Sequence, residues 1–145
     1  MADHERWIAE RMRGINSSGI RKVFDLARKI RDPINLSIGQ PDYYVPEPVK
    51  AAARAAIDAG HNAYTTTQGI PALRAALEVK VARELPGQPR SVFVTSGTAG
   101  GLSLALLSVV DPGDEVLVFD PYFVMYPHLV RMAGGVPVFI DTYPE

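Results

Sequence analysis

The sequence predicts an α/β protein with a βαβαβ sheet core preceded by helices. Three observations carry this expectation. Short β-branched runs stand at residues 92–95, 116–119 and 136–140, without the alternation of a half-exposed sheet. The stretches between them are long enough to hold a helix. Before residue 90, apolar residues recur at helical spacing.

In order along the chain, Ile8, Met12 and Ile15 sit three or four apart, as do Val23, Phe24, Ala27 and Ile30. They predict one helix or two, with Asn16-Ser17-Ser18-Gly19 as the break and its cap. Asp32-Pro33 ends this region. Residues 34–38 then alternate like a short strand, followed by the turn-rich Gly39-Gln40-Pro41-Asp42-Tyr43-Tyr44-Val45-Pro46. Val49, Ala52, Ala53, Ala56 and Ile57 make one helical stripe, and Gly60 stands where a helix stop belongs. A second stripe, Leu73, Ala76, Leu77 and Val81, follows Ile70-Pro71, with proline in the first turn. Residues 98–110 are apolar nearly all round, which predicts a helix buried on several sides. Asp111-Pro112-Gly113-Asp114 terminates it. Pro137 costs the last strand one ladder donor and suits a strand start or an edge.

Composition narrows the function. The 145 residues carry 15 Lys+Arg against 16 Asp+Glu, a formal net charge of −1, which argues against nucleic acid or an anionic membrane as the main partner. With no cysteine, a disulfide scaffold, a thiolate metal site and a cysteine nucleophile are excluded, and a reducing, cytoplasmic setting is expected. No apolar run reaches the length of a membrane span, and the charged start does not read as a secretory signal. His4, His61 and His128 lack a carboxylate or second histidine at ligand spacing, so no metal site is expected.

The strongest chemical signal is Thr95-Ser96-Gly97-Thr98-Ala99-Gly100-Gly101, between an expected strand and an expected helix. A small-residue turn there presents backbone N–H groups at the positive end of a helix, with the Ser96 and Thr98 hydroxyls beside them: a cradle for a phosphate dianion. An ordinary tight turn with a Ser/Thr cap would look the same. The turn matches neither the Walker pattern nor the G-x-G-x-x-G fingerprint. After the next strand comes Asp120-Pro121-Tyr122-Phe123-Val124-Met125-Tyr126-Pro127-His128, read as a loop. Ligands collect at the carboxyl ends of strands in open α/β sheets, so this loop could offer a ring to a planar ligand; core packing is the competing use of its aromatics. The loop at Gly39 either brings its backbone close to another group or is a simple turn, and Tyr64 to Pro71 either offers a phenol and several hydroxyls before a helix or is a polar loop with a cap.

Taken in order, these stretches resemble the N-terminal portion of the class I/II (fold type I) aminotransferases, enzymes that use pyridoxal 5'-phosphate (PLP). The resemblance rests on Asn35-Leu36-Ser37-Ile38-Gly39-Gln40-Pro41-Asp42, Tyr64 through Gly69-Ile70-Pro71-Ala72-Leu73-Arg74, Thr95 to Gly101, Asp111 to Val116, Pro121-Tyr122-Phe123, Tyr126-Pro127 and Ala133-Gly134-Gly135. It implies the large-domain fold of that family, with residues 1–33 as an N-terminal helical arm or small-domain segment and residues 34–145 as part of the PLP-binding large domain. Gly97, Thr98 and Ala99 match the turn that holds the cofactor phosphate, Ala99 replacing a frequent Lys or Thr. Phe123 matches the aromatic residue stacked on the pyridine ring. Tyr64 matches a tyrosine reaching the phosphate of the neighbouring subunit's cofactor, and Gly39 the backbone lying against the substrate carboxylate. The resemblance thus implies a homodimer acting on an amino acid and a 2-oxo acid.

That chemistry needs a lysine amine after the stacking aromatic, whereas Lys22, Lys29, Lys50 and Lys80 all precede the phosphate turn. The chain by itself is therefore expected to be inactive, with no catalytic residue assigned. The alternatives are a non-catalytic fragment or pairing module that binds phosphate or PLP, and a PLP-dependent carbon–sulfur lyase or decarboxylase on the same fold. On this reading the sheet is cut after three strands, and the 47% hydrophobic content exceeds what the piece buries alone.

Overall fold

The computed structural model describes residues 4–15, 19–34, 36, 39 and 41–144. Two compact units divide the chain: residues 1–29 with 95–145, and residues 30–94 between them.

The first unit begins with a 3-10 turn, His4–Trp7, and two helices, α1 (Glu10–Arg13) and α2 (Gly19–Ala27). The predicted break at Asn16-Ser17-Ser18 lies outside the described residues. After residue 95 the unit continues with α5 (Gly97–Val109), β1 (Glu115–Asp120), α6 (Met125–Met132) and β2 (Val136–Asp141). Strands β1 and β2 are parallel, Glu115 pairing Val136 and Asp120 pairing Asp141, so α6 is the crossover of a βαβ unit. Pro137 is the second residue of β2, near the strand start where its missing donor costs least. Helix α6 supplies the core: Leu129 and Val130 are buried against Val118 of β1, with Pro127 and Gly135 buried beside them. The chain leaves α6 through Gly134 at φ 94, the Gly135 amide donating back to the Val130 carbonyl and the Gly134 amide to that of Arg131. This Schellman closure turns the chain straight into β2. A side chain at Gly135 has no room, because its Cβ would lie 2.8 Å from Val110 and 3.1 Å from Val130.

The second unit holds α3 (Glu47–Asp58) and α4 (Pro71–Glu84). Both helices have proline in the first turn, where a missing N–H is harmless. Gly60 ends α3 at φ 73, with the His61 amide on the Ala56 carbonyl, the glycine stop that the sequence predicts. The predicted strand at 34–38 lies outside the described residues at Asn35, Ser37 and Ile38.

Three expectations need correction. Residues 92–95 form no strand. A β-branched run becomes one only beside a ladder partner, and here the polar groups of Val92 are taken by side chains of α4. Arg74 Nε donates to the Val92 carbonyl at 3.1 Å, and the Val92 amide reaches Glu78 Oε1 at 3.5 Å. The Val94 amide donates to the Gln68 carbonyl. Second, α5 has no buried residue, although it is apolar on every side. Third, the aromatic stretch after β1 is not all loop, since α6 starts at Met125 and carries Tyr126 and Pro127.

Candidate functional site

The Thr95 to Gly101 stretch folds as a tight entry into α5. Ser96, at φ −74 and ψ 72, is the centre of an inverse γ-turn, closed by the Gly97 amide donating to the Thr95 carbonyl at 2.8 Å. Gly97 follows at φ 69, left-handed backbone that a side chain would strain. Ser96 makes no side-chain hydrogen bond at the N-cap. The ordinary Ser cap is thus not realised, and the first-turn amides it would engage stay available for an anion. An added Cβ at Gly97 would meet nothing within 4 Å, so the outer face of the turn is open.

Thr98, the second residue of α5, also lines a hollow of about 620 Å³. Its walls are Leu102 and Leu106 of α5, the β1 residues 116–119, and Pro121, Tyr122, Phe123, Tyr126, Leu129 and Val130. The hollow is apolar except at the Thr98 end and where the tyrosines stand. The three aromatics have separate uses. Tyr122 stacks on Phe139 of β2, ring centroids 5.1 Å apart, and belongs to the packing. Tyr126 meets Phe123 edge-on at 5.8 Å and 73°. Phe123 is 54% exposed, and this T-shaped contact leaves ring area free for a planar ligand. Thr98 and Phe123, singled out from separate motifs, thus share one hollow. Gly97 and Ala99 flank Thr98 along the chain.

Tyr64 and Gly39 belong to the second unit. Tyr64 is fully exposed, its relative accessibility being 108%, and it precedes a turn in which Thr66 Oγ1 donates to the Gly69 carbonyl at 2.6 Å. Gly69 needs both its φ of 103 and its missing side chain, because a Cβ would lie 2.7 Å from Val94. Gly39 is exposed, with nothing within 4 Å of the place a Cβ would occupy. Thr95 opens the stretch singled out in the sequence, but no role for its side chain was legible there; its hydroxyl donates to the Gly97 carbonyl at 3.0 Å. A threonine two residues before a turn glycine was the available signal. Among the described residues no cluster of His, Asp and Glu could hold a metal ion, and no helix is long and apolar enough to cross a membrane.

Residues 31–145 match the family described as Aminotransferase class I and II. The chain belongs to that family. It is 44% identical over 126 residues to the aspartate/prephenate aminotransferase of Thermus thermophilus, covering 86% of this chain and 33% of that protein. It is 40% identical over 142 residues to the aspartate aminotransferase of Pyrococcus horikoshii, covering 96% of this chain and 36% of that protein. Among solved structures, the aspartate aminotransferase from Thermus thermophilus with maleate matches at a TM-score of 0.85 and 40% identity, over 94% of this chain and 37% of that one. The aspartate aminotransferase from Thermotoga maritima matches at 0.86 and 32%, over 94% of this chain and 38% of that one. The chain therefore spans about a third of the length of these aminotransferases and has the mixed α/β fold of their N-terminal part.

Proposed function

We propose that this chain is the N-terminal part of a PLP-dependent aminotransferase that moves an amino group between an amino acid and a 2-oxo acid. The observation that carries the reading is the uncapped start of α5 beside a hollow that contains both Thr98 and the half-exposed ring of Phe123. Such a donor set suits a phosphate monoester attached to a flat ring, the chemistry of PLP.

In this assignment the amides of Thr98 and Ala99 and the Thr98 hydroxyl hold the phosphate, and Gly97 supplies the turn that exposes them. Phe123 lies against the ring and keeps water off that face. Tyr64, exposed in this chain, reaches the phosphate of the neighbouring subunit's cofactor in a homodimer, and the backbone at Gly39 orients the substrate carboxylate. When bound, PLP supplies the electron sink for the departure of the substrate's α-proton. Residues 1–33 act as a helical arm or small-domain segment and residues 34–145 as part of the cofactor-binding large domain. The cytoplasm is the proposed compartment.

Two measurements test this. Inorganic phosphate or PLP at millimolar-order concentration, where even weak anion sites fill, is expected to slow amide exchange at Thr98 and Ala99; unprotected amides would overturn the cradle. Because its four lysines all precede the turn, the 145-residue chain incubated with PLP, an amino acid and a keto acid is expected to form no new keto acid above the free-cofactor background.

A further inference from the structure

We infer that Thr95 is the positioning residue of the phosphate turn, selecting the Thr98 and Ala99 amides as its donors and withdrawing that of Gly97. The inference rests on the proposed phosphate site and adds to it a residue outside the contact set.

Thr95 holds Gly97 by both of that residue's polar groups. The Thr95 carbonyl accepts the Gly97 amide at 2.8 Å, and Thr95 Oγ1 donates to the Gly97 carbonyl at 3.0 Å. The first bond removes the Gly97 N–H from the donors a ligand could use. The second uses one lone pair of a carbonyl that has two, leaving the other for the helix. Two bonds on one glycine fix its left-handed geometry, which no side chain of its own could do. Gly101 lies against the Thr95 side chain, since a Cβ there would stand 3.0 Å from Thr95 Oγ1 and 3.8 Å from its methyl carbon. A glycine inside a helix costs about 1 kcal/mol relative to alanine. Room for the Thr95 side chain accounts for it.

The competing explanation is that threonine stands here only as a β-branched residue of suitable shape. Thr95→Val keeps the shape and loses the donor, whereas Thr95→Ser keeps the donor and loses the methyl. The full chain and both variants would be compared by amide exchange at Gly97 without ligand, and by dissociation constants for inorganic phosphate and PLP. One hydrogen bond of ordinary net strength is worth about fivefold in an equilibrium constant. Thr95→Val is thus expected to speed Gly97 exchange and weaken phosphate binding by about that factor, with Thr95→Ser within about twofold of the original. Equal damage from both variants, or none from Thr95→Val, would overturn the inference. Gly101→Ala is the control if Thr95→Val fails to fold. It favours the helix but crowds the hydroxyl, so it is expected to weaken phosphate binding while retaining helicity; unchanged binding counts against the inference. An original chain that binds neither phosphate nor PLP would overturn the proposed function, and the ligand-free exchange data would still decide the role of Thr95.

Discussion

Gly97 and Gly135 are both glycines that resist substitution, for different physical reasons. At Gly97 there is space but the wrong backbone: φ is 69, and a Cβ would touch nothing within 4 Å. Gly97→Ala is therefore expected to cost about 1–2 kcal/mol from left-handed strain alone, read by denaturant titration, and to weaken phosphate binding as the turn relaxes. At Gly135 the Cβ would lie 2.8 Å from Val110, 3.1 Å from Val130 and 3.2 Å from the Asp114 carbonyl. Gly135→Ala should cost about 1–3 kcal/mol by overpacking. Phe123 offers the opposite contrast, because a ring 54% exposed contributes little to folding. Phe123→Leu is expected to leave stability within about 0.5 kcal/mol. Its loss of ring contact should lower PLP affinity by up to about tenfold. A matching loss of stability would make Phe123 a packing residue.

At the level of elements, the core of the first unit is small enough to be tested at one position. Val130 is 2% exposed in α6 and touches the space that Gly135 leaves free. Val130→Ala is expected to cost about 2 kcal/mol, from two lost methyl groups and the cavity they leave, with the loss read in thermal unfolding. The elements legible in the sequence were those whose signals are local. The stripe from Val49 to Ile57 with Gly60 behind it, and Pro71 ahead of Leu73 to Val81, each specify a helix within one stretch of chain. Residues 92–95 carry a strand's composition but form none, because strand formation depends on a neighbour that periodicity does not contain, and Arg74 and Glu78 hold Val92 instead. Helix α6 was hidden by Pro127, which suggests a loop yet is harmless in the first turn of a helix. Of the site, the phosphate turn was readable because glycine and hydroxyl residues act through local geometry. The division of the aromatics was not. That Tyr122 is taken by Phe139 while Phe123 stays open depends on β2, residues later in the chain.

At the scale of the whole molecule, much of the first unit's apolar surface is uncovered. Leu104, Leu107 and Val109 of α5 and Leu117 and Phe119 of β1 are all at least half exposed. The isolated chain is therefore expected to bind an apolar dye and to self-associate with rising concentration. Sedimentation checks this, and a monodisperse monomer without dye binding would contradict it. The division into units also has a consequence in time. Helix α1 packs against α6, more than a hundred residues further along, while residues 30–94 form a separate unit in between. During synthesis α1 leaves the ribosome without its partner and waits about 6–23 s for α6 at ordinary elongation rates. The inserted unit has its own contacts and can close during that delay, so the order of folding need not follow the order of the chain.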